Sequence, residues 1–171
     1  MIYYVSDLHF NHQKIIESCN RPFKNVDDMN KILINNWNSR IKNSDVVYYL
    51  GDFAIVKNNK QAEEAIELVK KLNGKITLIH GNHDSRLTKN EEFRKLFNEI
   101  AIYKKVNDNG RYVILMHYPL ESWERSYYGS YHVHGHTHNY KINNIKNRFN
   151  AGVDVNEFKP VTLDELINKN K

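Results

Sequence analysis

The apolar positions of this chain fall into short runs whose period changes along its length. Ile2-Tyr3-Tyr4-Val5 opens a brief, nearly unbroken run that predicts a buried strand over residues 2–6, and residues 12–19 suit a short helix. Arg21-Pro22-Phe23 interrupts the chain, because proline cannot continue a helix. A longer helix begins near Asp27 or Asp28, with Met29, Ile32, Leu33, Trp37 and Ile41 at three- and four-residue spacing on one apolar face. Residues 45–50 form a second strand that ends at Gly51-Asp52. A helix over residues 60–72 is stopped by Asn73-Gly74, and a third strand over residues 75–80 ends at Gly81-Asn82-His83-Asp84.

Strand, helix, strand, helix, strand is the order of parallel pairing with helices laid over the sheet. A further helix over residues 90–97 closes this part. The period then shortens: residues 100–106 and 111–116 flank Asn107-Asp108-Asn109-Gly110, a hairpin signal. Short strands follow over residues 131–133 and 148–155, with a terminal helix over 162–168. The stretch from Pro119 to Ser130 is the most loop-like. No repeat, linker or step in composition divides the chain, so the expectation is one α/β domain of mixed sheets over residues 1–171.

Composition narrows the function only slightly. With 40% apolar and 26% charged residues the chain lies well within the globular range. Its net charge of +5 suits a phosphate substrate, RNA or DNA equally, so nucleic acid is possible without being indicated. The single cysteine, Cys19, excludes an intrachain disulfide and leaves no thiolate metal cluster to build. No apolar run has the length of a membrane span, and no basic leader precedes Asp7 and His9, so the expected location is the cytoplasm.

The chemistry sits where strands end. Asp7-x-His9, Gly51-Asp52, Gly81-Asn82-His83-Asp84, His117 and Gly135-His136-Thr137-His138 each follow a predicted strand, and in α/β sheets functional groups gather beyond the carboxyl ends of strands. Any one of these motifs is commonplace; the ordered set is specific. The set resembles that of the calcineurin-like metallophosphoesterase superfamily from Asp7 to His138. Local text also looks like small bacterial and phage members: Ser6-Asp7-Leu8-His9-Phe10-Asn11-His12, Asn20-Arg21-Pro22-Phe23, Asn36-Trp37-Asn38 and Val153-Asp154-Val155-Asn156.

The resemblance implies two packed mixed β-sheets flanked by helices in a four-layer sandwich. It also implies two metal ions, the first held by Asp7, His9 and His138, the second by Asn82, His117 and His136, with Asp52 bridging them. Imidazole nitrogens with carboxylate and amide oxygens suit Mn, Fe, Zn, Co or Ni, manganese first among them. A bridging carboxylate keeps two cations within ~4 Å, close enough to polarise one shared water into a bridging hydroxide nucleophile. Two dications, two aspartates and that hydroxide sum to roughly +1, and a neutral Asn82 keeps the balance positive. The resemblance assigns His83 to the leaving-group side, where it would act as general acid. Larger relatives carry an aspartate and an arginine shortly after the glycine-aspartate pair; here the text is Gly51-Asp52-Phe53-Ala54-Ile55-Val56, which leaves the partner of His83 open.

Other candidates carry two readings each. Arg21 suits a phosphate clamp or a surface ion pair, and His12 either lines the cleft or caps a helix. Asp84 either orients an imidazole or caps the next helix. His132 and His134 either back a ligand or serve the strand, His80 is structural, and Tyr118, Trp123, Tyr127 and Tyr128 either wall the substrate or pack. The function expected is hydrolysis of a small phosphate ester or nucleotide, diesters before monoesters. The alternatives are a metal-bound scaffold for protein partners and a nuclease on short RNA or DNA. The sequence is silent on oligomeric state.

Overall fold

A computed structural model describes residues 1–170. Four strands, β1 (Ile2–Val5), β2 (Val46–Tyr49), β3 (Lys75–Ile79) and β4 (Glu99–Ala101), lie side by side in that order, all parallel. A second sheet orders β5 (Tyr103–Asp108), β6 (Arg111–Met116), β7 (Tyr131–His134) and β8 (Arg148–Asn150), antiparallel between β5 and β6 and parallel thereafter. Val161 bridges antiparallel to Tyr4 at the β1 edge, and Gly152 bridges Ser6, so the end of β8 meets the end of β1. The expected pair of sheets flanked by helices is what the chain forms.

Two apolar clusters explain the layering. Tyr4, Leu50, Ile79, Val113, Leu115 and Val133 meet in a core that draws on both sheets. The opposite face of the first sheet offers Tyr3, Val5, Val47, Tyr49, Ile76 and Leu78 to the helices. Those helices are α1 (Gln13–Ser18), α2 (Val26–Arg40), α3 (Asn59–Val69) and α4 (Glu91–Lys95). Each of the last three starts on an asparagine whose side-chain oxygen accepts a backbone N–H three residues on: Asn25 from Asp28, Asn58 from Gln61, Asn90 from Phe93. Helix α5 (Leu163–Lys169) begins with a capping box between Thr162 and Glu165. No helix among the described residues is long and apolar enough to cross a membrane.

Two expected elements are divided. Residues 100–106 form no single strand: Ile102, 69% exposed, is the crossing between β4 in the first sheet and β5 in the second. Residues 148–155 break after Asn150, and Val153–Val155 is a turn of 3-10 helix. The hairpin is tighter than its four-residue signal, since Asp108 still pairs with Arg111. Asn109 and Gly110 alone make the turn, both with positive φ (53° and 85°), as a twist-matched two-residue turn requires.

Trp37 joins α2 to this frame. It is 1% exposed, packs near Tyr49, and its indole N–H donates to the Asn73 carbonyl at 2.8 Å, where α3 turns into β3. Trp37→Ala should lower unfolding free energy by about 3–5 kcal/mol, the range for an emptied aromatic site. Trp37→Phe should lose about 1–3 kcal/mol, mainly by leaving the Asn73 carbonyl unpaired. Denaturant unfolding of the variants checks this; a loss under about 1 kcal/mol for the alanine variant would show that the helix does not depend on this contact.

Candidate metal centre

Each group named by the sequence motifs lies at or just past the carboxyl end of a strand. Asp7 and His9 follow β1, Asp52 follows β2, Asn82 and His83 follow β3, His117 follows β6, and His136 and His138 follow β7. The chain must leave each strand sharply for these side chains to converge. Asp7 (φ 60°), His9 (51°), Asp52 (61°), His136 (68°) and His138 (48°) all adopt the left-handed region. Non-glycine residues there cost of order 1–3 kcal/mol each and gather at functional sites. Gly135 is needed for a different reason: a Cβ there would overlap Ser6 Oγ and stand 2.6 Å from Asp7 Oδ2.

Hydrogen bonds fix the loops against each other. The N–H groups of Asp7, His9 and Phe10 donate to the carbonyls of Gly51, Asp52 and Phe53, which continues the pairing of β1 with β2 past the sheet. The Asp84 carboxylate accepts from the N–H groups of Asp52, Gly81 and Phe53, each at 2.9 Å. It is therefore a staple between the second and third loops rather than the partner of an imidazole or a side-chain cap.

Around Asp52 the donors close in. Asp52 Oδ2 lies 3.5 Å from His9 Nε2, 3.6 Å from His117 Nε2 and 4.0 Å from His83 Nε2. Asp52 Oδ1 accepts the His83 backbone N–H at 2.9 Å. Asp7 accepts the His136 N–H at 3.0 Å through Oδ2, and its Oδ1 stands 3.9 Å from His138 Nε2. Asn82 Oδ1 is 3.0 Å from both His117 Nε2 and His136 Nδ1. Asp7, His9 and His138 form one group able to hold a metal ion, and Asp7, Asp52 and His117 another.

Protons alone satisfy this cluster poorly. Buried His9 Nε2 has no hydrogen-bond partner. His117 Nδ1 lies 2.6 Å from the Leu50 carbonyl, which can only accept, so that nitrogen carries the ring proton. His117 Nε2 then faces only the oxygens of Asn82 and Asp52, neither of which donates to it. Burial pushes the Asp7 carboxyl up to about 6, against the pull of His117 and His138. Burial also acts upward on Asp52, but His9, His117 and the His83 N–H outweigh it and hold the carboxyl down at about 2. Burial lowers His9 to about 4; for His138 the same effect is overcome by Asp154, Cys19 and Asp7, which raise it to about 10. Buried carboxylates gathered with imidazole and amide donors call for a cation, and the residues present fit a transition metal.

The remaining candidates separate clearly. Arg21, read as a possible phosphate clamp, is corrected here: its side chain is fully buried, with Nε and Nη2 on Asp154 and Nη1 and Nη2 on the carbonyls of Leu8 and Asp7. No donor is left for a substrate oxygen on that side. His12 occupies the N-cap position of α1 without a side-chain cap, and its Nδ1 leans on His9 Nδ1 at 3.3 Å. His132 is taken up by the Ile114 carbonyl and the Leu120 N–H, and His134 by the Gly135 carbonyl. Trp123 is buried, its indole N–H on Ser130 Oγ, while Tyr127 and Tyr128 are exposed to solvent. Tyr118 alone of these aromatics reaches the cluster, edge-on to His136 with ring centres 4.6 Å apart. It walls a recess of about 340 Å³ beside Asn82, with His80, Ser85, Ile102 and Met116. Asp154 was not a candidate from sequence; its only signal was the text Val153-Asp154-Val155-Asn156. It accepts from His138 Nδ1 at 2.8 Å.

The chain belongs to the calcineurin-like phosphoesterase superfamily: the model of that superfamily domain matches residues 1–156. It is 42% identical over 179 residues to an uncharacterized protein, MJ1445, of Methanocaldococcus jannaschii, covering 99% of this chain and 93% of that one. It is 26% identical over 160 residues to the gene 66 protein of Mycobacterium phage L5, covering 80% and 76%. Among solved structures it resembles a protein of unknown function, AQ665, from Aquifex aeolicus, with a TM-score of 0.75, 28% identity and coverage of 100% and 99%.

The Asp84 staple gives a test independent of metal. In Asp84→Asn an amide nitrogen must oppose a backbone N–H wherever it is placed. Chelator-stripped protein should then lose about 2–3 kcal/mol of stability, the scale of hydrogen bonds to a buried charge. Urea unfolding measures it, and an unchanged midpoint would mean that the three N–H groups are held without this carboxylate.

Proposed function

We propose that the protein hydrolyses phosphate esters, diesters in preference to monoesters, at a centre of two divalent transition-metal ions, manganese first among the suitable ones. The observation that carries this reading is the convergence of nitrogen and oxygen donors on Asp52, with the buried His9 Nε2 lacking a hydrogen-bond partner among the described residues. Asp7, His9 and His138 would hold the first ion, Asn82, His117 and His136 the second, and Asp52 would lie between them. When bound, two such cations supply Lewis-acid charge to phosphate oxygens and acidify water.

The chain's own groups supply the rest. Asp7 and His9 are buried whereas Asn82, His83 and His136 are exposed, so a phosphate approaches from the Asn82 side. The recess walled by Tyr118 offers room there for the organic part of an ester. The His83 side chain, 42% exposed beside Asp52, would give a proton to a departing alkoxide. Its nearest carboxylate is Asp52, at 4.0 Å, among the described residues, so no second acid orients it. With Arg21 turned inward, the cationic clamp that a doubly charged monoester would favour is withdrawn. That supports a singly charged diester, a small phosphate ester or nucleotide, as the substrate class.

Chelation should abolish activity, and Mn²⁺, Co²⁺ or Ni²⁺ should restore it with two ions per chain. Asp52→Ala should strip metal from the protein while His83→Ala keeps it. Elemental analysis of both variants decides this, and equal metal loss in the two would make His83 a ligand instead.

Matched mono- and diesters over a series of leaving-group pKa values test the substrate class and the role of His83 together. Diesters should give the higher kcat/KM. His83→Ala should cost about 10²–10⁴-fold for poor leaving groups and much less for activated aryl ones. Faster monoesters would sink the diester assignment, and a loss independent of leaving group would sink the general acid.

A further inference from the structure

Behind the cluster lies a buried pair that takes no part in the chemistry above. Arg21 and Asp154 meet side by side, Nε to Oδ1 at 2.7 Å and Nη2 to Oδ2 at 2.9 Å, with neither side chain more than 2% exposed. A pair so buried has a desolvation cost that mutual attraction alone rarely exceeds, which makes it weak as a source of stability. Its other contacts are more telling. Asp154 Oδ2 also accepts from His138 Nδ1 at 2.8 Å, which leaves Nε2 as the nitrogen turned toward Asp7. Arg21 Nη2 donates to the Asp7 carbonyl at 2.7 Å and Nη1 to the Leu8 carbonyl at 2.9 Å, one residue before His9.

One guanidinium thus grips the backbone that carries Asp7 and His9 and the carboxylate that aims His138. These segments are 133 residues apart between Arg21 and Asp154, so no local turn brings them together. We propose that Asp154, locked by Arg21, is a positioning residue for the first metal site, setting the tautomer and aim of His138 while Arg21 holds the Asp7–His9 turn to the same frame. Carboxylates behind metal-bound imidazoles fix ring orientation and strengthen the ligand, and their loss weakens metal binding about 10–100-fold. The proposal rests on the two-metal reading above. A rival arrangement exists, since Cys19, His138 and Asp154 also lie close enough to hold an ion. The Arg21 charge on Asp154 and the hydrogen bond already filling His138 Nδ1 argue against it.

The test is a Co²⁺ titration of the chelator-stripped full chain, followed by calorimetry and visible absorption. Wild type should show two sites. Asp154→Asn, nearly the same shape, should weaken one site by about 10–100-fold and leave the other unchanged. In a His138→Ala background the same substitution should change Co²⁺ affinity by no more than about twofold, because its effect runs through that imidazole. Arg21→Lys keeps the charge but cannot span Asp154 and two carbonyls, so it should weaken the same site to a smaller degree; it carries the test if Asp154→Asn does not fold. Equal weakening of both sites, or a lower metal-free Tm with both affinities intact, would reduce the pair to a structural one and overturn the proposal. A sulfur-to-cobalt charge-transfer band would overturn it in favour of the Cys19 arrangement. Failure of wild type to bind two Co²⁺ ions would overturn the metal-centre reading itself, a result visible before any variant is made.

Discussion

The arrangement depends on a backbone constraint: five of the candidate metal ligands leave their strands through left-handed turns. Asp7, His9, Asp52, His136 and His138 all hold positive φ without being glycine. Such turns persist only where surrounding bonds over-determine them. Here they are held by paired carbonyls and N–H groups between the β1 and β2 loops, by Asp84 across the β2 and β3 loops, and by the His136 N–H on Asp7. The sheets provide the direction, and these contacts provide the convergence.

Electrostatics makes the same geometry purposeful. Three carboxylates, Asp7, Asp52 and Asp154, have buried side chains within reach of imidazoles, of which burial lowers His9 and Asp154 raises His138. Arg21 answers one of these charges from behind. The others face inward on a space where His9 Nε2 and His117 Nε2 also point. The basicity of His138 rises despite burial because Asp154, Cys19 and Asp7 surround it. A proton, however, answers one lone pair at a time, whereas a cation answers several donors from one point.

Much of this was legible in the sequence because it rests on local pattern. The period of Met29, Leu33 and Trp37 places α2, and Asn109-Gly110 dictates its hairpin through φ alone. The motif residues follow strands, so their gathering at one end of the sheets was predictable from order. What escaped were contacts without a local signature. The Ile102 crossing looks like strand because β4 and β5 are both strands, and only pairing partners reveal that they belong to different sheets. Arg21 carries the right chemistry for a phosphate, yet its direction is decided by Asp154 far along the chain. Asp84 follows a ligand motif and resembles a cap, but its three partners come from the β2 loop and from Gly81.

Sequence separation also ties the centre to folding. Asp7 meets His136 across 129 residues, Asp52 meets His83 across 31, and His117 meets Asn82 across 35. Neither candidate ligand group can assemble before both sheets are in place, since Asp7 and Asp52 come from the first and His117, His136 and His138 from the second. An ion held there binds the folded chain and has no comparable site in the unfolded one. By mass action such an ion adds about 4 kcal/mol of stability when present at a thousand times its dissociation constant. The left-handed turns, costly to the bare chain, are therefore the part of the fold that a bound cation would most directly reinforce.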